Sequence, residues 1–201
     1  LATVFTDYIC PFCYVGDVRL DRLRDDYDLK INWCFLEIHP ETPVEGMATD
    51  ALGYSGERWK TMMDNLAVLA AEEGITFRPH TFTTNSHKSL AEAAKEAGAD
   101  VFYTLHRRLF EAFFTEGLNI GDETVLSGLA RESGVPNAVL ARAWTDDRYE
   151  QRLQQYLAAA HELDVRATPT VFFGEKQRID GALPFSIFRK LAQAGAVSQQ
   201  A

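Results

Sequence analysis

The residues most capable of chemistry are two cysteines near the start of the sequence, Cys10 and Cys13, separated by Pro11 and Phe12. A Cys-x-x-Cys pair either carries out thiol–disulfide exchange, binds a metal, or consists of two free thiols. The third cysteine, Cys34, stands alone, and an odd total of three cysteines is too few for a disulfide scaffold. A structural zinc site needs four closely spaced ligands, and no second cysteine pair or close histidine pair follows. The sequence therefore predicts a redox pair and no metal.

The elements expected around the pair favour the redox interpretation. Residues 2–6 are rich in β-branched and aromatic types and predict a strand, and a helix is expected from Cys10 to about Tyr27. Pro11 suits the first helical position because its missing N–H costs nothing there. A thiolate at Cys10 would face unpaired N–H groups at the positive end of the helix, which lowers the pKa of the thiol. Cys13 lies one turn further on the same face, where it can close a disulfide with Cys10.

Length, composition and charge exclude several classes of protein. The chain has 201 residues, of which 46% are hydrophobic and 24% charged, as in a globular domain that can bury a full core. Its net charge of −9 argues against non-specific binding to nucleic acid or to an anionic membrane. The sequence shows no apolar run of membrane-spanning length and no signal peptide, so we expect no membrane partner and a cytoplasmic location. Because the chain begins at Leu1 without a methionine, a periplasmic location stays open. The sequence also leaves the oligomeric state open.

A long central segment has helical patterning. From residue 40 to about residue 163, apolar residues recur at helical spacing, and glycines follow several of these stretches. One stretch, residues 86–97, is rich in alanine, and another, residues 102–114, has an aromatic face that we interpret as core. We therefore predict an inserted all-helical domain over residues 40–163.

The two ends of the chain are expected to form one sheet. Beyond the first strand, the predicted elements of the ends are strands at residues 29–38, 170–173 and 177–180 and a helix at residues 184–194. The order is β-α-β before the central segment and β-β-α after it, and neither half can cover a sheet alone. The predicted fold is therefore α/β, with a four-stranded sheet in a discontinuous domain of residues 1–39 and 164–201.

Five stretches carry a resemblance to a known family: residues 7–16 (DYICPFCYVG), 33–40 (WCFLEIHP), 119–130 (NIGDETVLSGLA), 165–173 (VRATPTVFF) and 179–182 (IDGA). With these motifs the ends resemble a thioredoxin fold, and nearly the whole chain resembles the DsbA/FrnE-like thiol–disulfide oxidoreductases. The aromatic-Val-Gly after the second cysteine follows the FrnE-like branch rather than the secreted DsbA branch. Glutathione-dependent relatives, the kappa-class transferases and hydroxychromene-carboxylate isomerases, resemble the chain as well. They place a serine where Cys10 stands, which argues against them, and a glutathione-dependent isomerase or transferase is therefore the alternative rather than the main prediction.

The resemblance implies roles for particular residues. Cys10 would attack, or be attacked by, a client thiol or disulfide, and Cys13 would resolve the mixed disulfide. Thr168 and Pro169 would be joined by a cis peptide bond that faces the cysteines and would hold the client backbone. Asp7 would either accept a proton from Cys13 or interact with the helix dipole. Oxidase, reductase and isomerase would share these residues, so the direction of electron flow stays open.

Neighbouring side chains have less specific expected roles. Phe12 and Tyr14 would line a substrate groove, with packing as the alternative. Cys34, in the middle of the second strand, is expected to be a buried core residue. The expected partners are client proteins with thiols or disulfides, with glutathione as a second candidate, and no cofactor is required.

Overall fold

The structure, a computed structural model, describes residues 1–85 and 89–198. Residues 86–88, at the start of the predicted alanine-rich helix, lie outside the described residues. The helices and strands follow one another as β1 (Ala2–Thr6), α1 (Pro11–Leu23), β2 (Ile31–Phe35), β3 (Met47–Ala48), α2 (Gly56–Glu72), β4 (Phe82–Thr83), α3 (Ser89–Ala94), α4 (Ala99–Glu111), α5 (Glu123–Glu132), α6 (Asn137–Ala143), α7 (Asp147–Glu162), β5 (Thr170–Phe173), β6 (Gln177–Asp180) and α8 (Phe185–Ser198).

Contacts between Cα atoms divide the chain into two units. The first unit consists of Leu1–Leu36, Gly56–Thr76 and Ala158–Ala201, and the second consists of Glu37–Ser55 and Phe77–Leu157. The first unit therefore includes α2 as well as both ends of the chain. The assignment of residues 40–163 to an inserted domain stays a prediction.

One mixed sheet in the first unit joins both ends of the chain. Its strands lie in the order β2-β1-β5-β6. β1 runs parallel to β2 and antiparallel to β5, and β5 pairs antiparallel with β6. Val4 and Phe5 of the interior strand β1 are both 1% exposed. The predicted α/β architecture, with β-α-β and β-β-α ends in one four-stranded sheet, is confirmed.

The first helix is shorter than predicted, since α1 ends at Leu23 rather than near Tyr27. The N–H groups of Arg24, Asp25 and Asp26 each donate to the carbonyl three residues earlier, which tightens the chain into turns. The two aspartates also lie at the negative end of the helix dipole, where carboxylates disfavour further helix. The sequence alone does not reveal that the helix ends here, because residues 24–27 include no glycine or proline.

A buried arginine joins α1 to two other segments of the first unit. Arg19 has 0% exposure. Its Nε donates to Oε1 of Glu73 at 2.7 Å, and its Nη2 donates to Oε2 of Glu72 at 2.7 Å. Its Nη1 donates to the carbonyl of Ala182 at 3.0 Å and to that of Leu183. The guanidinium therefore fixes the end of α2 and the loop before α8 against α1.

The second unit is largely helical but contains a small sheet that the sequence did not predict. β3 and β4 pair antiparallel, with Met47 opposite Thr83 and Ala48 opposite Phe82. Two-residue strands are too short to show the alternation from which strands are predicted. The expectation of purely helical structure between residues 40 and 163 is therefore wrong at this pair of strands.

The aromatic stretch of residues 102–114 belongs to the core of the second unit, as predicted. Phe102 and Phe110 of α4 are 4% and 0% exposed. His106 between them is 1% exposed, and its ring centroid lies 5.4 Å from that of Phe102 and 5.3 Å from that of Phe110. The helix continues beyond α4 as a π-helix over Ala112–Glu116, which the sequence pattern did not indicate.

Candidate active site

β1 and the turn after it place Cys10 at the N-terminus of α1. The Thr6 carbonyl at the end of β1 accepts a hydrogen bond from Leu36, which fixes the strand end against the chain after β2. The Cys10 N–H donates to the carbonyl of Asp7 at 3.1 Å and closes the turn. Cys10 keeps an extended backbone as the N-cap residue, and Pro11 begins the helix as predicted. The Cys10 side chain therefore stands at the positive end of α1.

The thiol of Cys10 is the more acidic of the pair. All three cysteines are free thiols, and the Cys10 side chain is buried, with 5% of the residue exposed. Hydrogen bonding from the Cys13 side chain is the largest influence on the pKa of Cys10 and lowers it. The Thr168 side chain and the Cys13 N–H lower this pKa further, and burial and the Asp7 charge oppose them without reversing the direction. Cys10 is therefore the thiol of the pair that ionises first.

The pKa of the Cys13 thiol is shifted in the opposite direction. Cys13 is 1% exposed, and burial, reinforced by the neighbouring Cys10, raises its pKa well above the ordinary value for cysteine. The N–H of Asp7 lies 3.5 Å from the Cys13 sulfur and donates to it, and the Thr6 side chain also interacts with this sulfur. Both groups lower the pKa of Cys13 but do not offset its burial. Thr6 was not among the residues predicted for the site, and its one signal in the sequence is its place at the end of the strand that leads into the cysteine pair.

The opposite pKa directions predict how the two thiols respond to pH. Alkylation rates follow the thiolate fraction, so the rate for Cys10 should reach half of its plateau below pH 9.0, the ordinary cysteine value, and that for Cys13 only above it. The measurement is iodoacetamide alkylation of the reduced protein over a pH series, with the labelled cysteine identified by mass spectrometry. In denaturant the cysteines should label alike. A half-maximal rate for Cys10 at or above pH 9.0 would contradict this assignment.

The segment before β5 brings Thr168 to Cys10. The peptide bond between Thr168 and Pro169 is cis. The Cys10 thiol lies 3.5 Å from the Thr168 carbonyl oxygen and donates to it. The carbonyl of Pro169 in turn accepts a hydrogen bond from Gly181, just after β6, at 2.7 Å. The structure thus brings the residues predicted from the Cys-x-x-Cys and Thr-Pro-Thr motifs together in one place within the first unit.

The other residues predicted for the site are mostly buried. Asp7 has 0% exposure, and its Oδ1 accepts a hydrogen bond from the N–H of Ile9 at 3.2 Å, so its carboxylate supports the turn that leads to Cys10. Phe12 is half-buried, and Tyr14 is 8% exposed and offers a client little surface. The role of Asp7 as proton acceptor and the groove roles of Phe12 and Tyr14 stay predictions.

The third cysteine belongs to the core, as predicted. Cys34 is 3% exposed and lies opposite Phe5 where β2 pairs with β1. The Nδ2 atom of Asn32 lies 3.6 Å from the Cys34 sulfur and donates to it. Cys34 therefore packs within the sheet.

The described residues contain neither a metal-binding cluster nor a membrane-spanning helix. Within residues 1–85 and 89–198, no three or more His, Cys, Asp or Glu side chains form a group that could hold a metal ion. In the same ranges, no helix has both the length and the apolar character needed to cross a membrane.

The fold corresponds to that of a known family. Residues 3–193 match the family model of the DSBA-like thioredoxin domain. The chain therefore belongs to this family, whose DsbA-like members are thiol–disulfide oxidoreductases. The predicted thioredoxin-like fold and the DsbA/FrnE-like resemblance are confirmed.

The chain is also similar to individual proteins, one by sequence and two by fold. A protein of Bacillus subtilis (strain 168) described as uncharacterized protein YwbO is 31% identical over 196 residues, which cover 93% of this chain and 92% of that protein. The crystal structure of the probable DsbA oxidoreductase SCO1869 from Streptomyces coelicolor superposes with a TM-score of 0.82 at 22% identity, covering 97% of this chain and 89% of that one. A structure of 2-hydroxychromene-2-carboxylate isomerase gives a TM-score of 0.73 at 21% identity, covering 99% of this chain and 96% of that one. The two structural likenesses show a shared fold.

Proposed function

We propose that this chain is a thiol–disulfide oxidoreductase that exchanges disulfides with client proteins or small thiols through Cys10 and Cys13. The observation that carries the proposal is the opposite tendency of the two neighbouring thiols. The pKa of Cys10 is lowered at the start of α1, and that of the buried Cys13 is raised well above its ordinary value. An acidic, attacking thiol beside a buried, resolving thiol is the arrangement that stepwise exchange requires.

In the reducing direction, exchange would proceed in two steps. The Cys10 thiolate attacks one sulfur of a client disulfide, the client S–S bond breaks, and the second client sulfur leaves as a thiolate that takes a proton from water. Cys13 then loses its proton and attacks the Cys10 sulfur, so that the client is released as a dithiol and Cys10 and Cys13 form a disulfide. The client gains two electrons and the cysteine pair loses two. The reverse sequence oxidises a client dithiol, and the reduction potential of the pair decides which direction prevails.

Other residues would support these steps from the same unit. Thr168, whose carbonyl lies 3.5 Å from the Cys10 sulfur, and Pro169 would hold the backbone of an extended client. Asp7 would accept the proton of Cys13, because its buried carboxyl group lies in the turn that leads from β1 to the cysteine pair. The client itself and the cytoplasmic location expected from the sequence stay predictions.

Equilibration with glutathione tests the proposal directly. The protein is incubated at a series of ratios of reduced to oxidised glutathione. Its free thiols are then trapped with an alkylating agent and counted by mass spectrometry. We expect one reversible two-electron transition that is lost in Cys10→Ala and retained in Cys34→Ala, because Cys34 packs in the sheet away from the exchange. The absence of a reversible transition in the wild-type protein would contradict the proposal and favour a thioredoxin-fold binding module.

Glutathione binding and the Cys13→Ala variant distinguish the alternative enzyme. A glutathione-dependent isomerase or transferase would bind glutathione stoichiometrically and keep its activity after loss of Cys13. The fold shared with 2-hydroxychromene-2-carboxylate isomerase is the observation in favour of this alternative. The presence of Cys10 argues against it, because the resemblance places serine at that position in those relatives.

A further inference from the structure

Gly16 lies on the face of α1 that carries the resolving cysteine. It follows Cys13 by three residues, so the two share one side of the helix. Gly16 is buried and has an ordinary helical position, where glycine is among the least favourable residues for the helix. The backbone therefore gives no reason for glycine here, and the reason must lie in what approaches the helix.

The group that approaches Gly16 is the ring of Pro169. A Cβ atom added at Gly16 would lie 2.9 Å from Cγ of Pro169 and 3.5 Å from its Cβ. The first distance is shorter than real Cβ atoms tolerate, and the proline ring cannot rotate away as a long side chain would. Any side chain at position 16 must therefore push α1 and the Pro169 segment apart.

Such a displacement would reach the reactive sulfur through one peptide bond. Thr168 directly precedes Pro169, and its carbonyl oxygen accepts a hydrogen bond from the Cys10 thiol at 3.5 Å, a contact that favours the protonated thiol. The Thr168 side chain is also one of the groups that lower the pKa of Cys10. Cys10 and Gly16 belong to the same rigid helix, so a shift of Pro169 relative to Gly16 is also a shift of Thr168 relative to Cys10.

We propose that Gly16 is a positioning residue of the cysteine site: its lack of a side chain lets the Pro169 segment pack on α1 and thereby holds Thr168 against the Cys10 sulfur. This inference rests on the proposed function, because it concerns the reactivity of Cys10 as the attacking thiol. It assigns the glycine a part in tuning that thiol rather than in helix formation.

The test compares Gly16→Ala with Gly128→Ala, a second glycine within a helix whose added Cβ meets nothing within 4 Å. We expect alkylation of Cys10 near neutral pH to slow by roughly threefold or more in Gly16→Ala, because the Thr168 side chain, which lowers the pKa of Cys10, moves away from the sulfur. Gly128→Ala should alkylate at the wild-type rate. Equal rates in the two folded variants would overturn the proposal.

A second pair of variants isolates the route through Thr168. Thr168→Val removes the hydroxyl and should slow alkylation by itself, and the double variant Gly16→Ala/Thr168→Val should be no slower than Gly16→Ala alone. Fully additive effects would overturn the proposal. If Gly16→Ala does not fold, Thr168→Val decides: slowed alkylation supports the proposal, and unchanged alkylation overturns it. The glutathione transition of the wild-type protein is independent of these outcomes, so the proposed function can hold while this inference fails.

Discussion

Replacing Cys13 by alanine should make the protein accumulate mixed disulfides with its clients. The first step of exchange needs only the Cys10 thiolate, whereas release needs a second thiol next to the Cys10 sulfur. Without Cys13, release depends on free thiols from solution, which lack the high effective concentration of a neighbouring group. We therefore expect the lifetime of the mixed disulfide to lengthen by at least roughly 100-fold.

Non-reducing gel electrophoresis after acid trapping measures this effect in cells or with a model disulfide substrate. High-mass bands that disappear on reduction should appear in Cys13→Ala. They should be absent from the double variant Cys10→Ala/Cys13→Ala, which lacks the attacking thiol. Cys34→Ala is the matched control, since it also removes one buried thiol. Mixed disulfides that persist equally in Cys34→Ala, or that form without Cys10, would contradict the assigned roles.

Replacing the buried Arg19 by methionine should strongly lower the free energy of unfolding. The side chain is fully buried, and methionine would leave the Ala182 and Leu183 carbonyls and one oxygen of Glu73 without their donors. The Glu73 side chain is only 2% exposed, so water cannot readily replace the lost partner. Breaking a buried pair from one side typically lowers the free energy of unfolding by about 3–5 kcal/mol.

Urea denaturation of the reduced protein measures this loss. Arg166→Met provides a matched control, because Arg166 also pairs with a carboxylate, Asp164, at 2.7 Å but is 82% exposed. Exposed pairs contribute about 0–1 kcal/mol, so the urea concentration at which half of the control is unfolded should be close to that of the wild-type protein. If both variants lose the same stability, the buried network does not hold the three segments together as described.

Local patterns in the sequence were sufficient for three of the four strands of the main sheet, and the fourth, β2, is shorter at Ile31–Phe35 than the predicted residues 29–38. β1, β5 and β6 have the predicted bounds, because each is a short run bounded by glycine, proline or polar residues. The cysteine pair was equally predictable from the sequence, since its chemistry and its place at a helix start depend on adjacent residues. α1 was predicted about four residues too long because its ending depends on turn geometry and on a helix dipole rather than on a breaking residue.

The residues that the sequence did not reveal act through distant partners. Arg19 appears in the sequence as an ordinary charged residue of a helix, and its burial arises only when residues more than fifty positions away meet it. Gly16 likewise has no local purpose, since Pro169 is its neighbour only in the fold. Sequence spacing predicts contacts within a helix or between adjacent strands, and it does not predict which remote segment fills the space beside a glycine.

The order of strands in the sheet also affects how the protein is made. β1 lies between β2, which follows it closely in the chain, and β5, which is formed by residues near the other end. The ribosome synthesises the two cysteines long before Thr168 and Pro169. Pairing between such remote segments is also slow compared with helix formation. The surroundings of Cys10 are therefore complete only after Thr168 and Pro169 have been synthesised, and a chain that stops before them carries the same two cysteines without these surroundings.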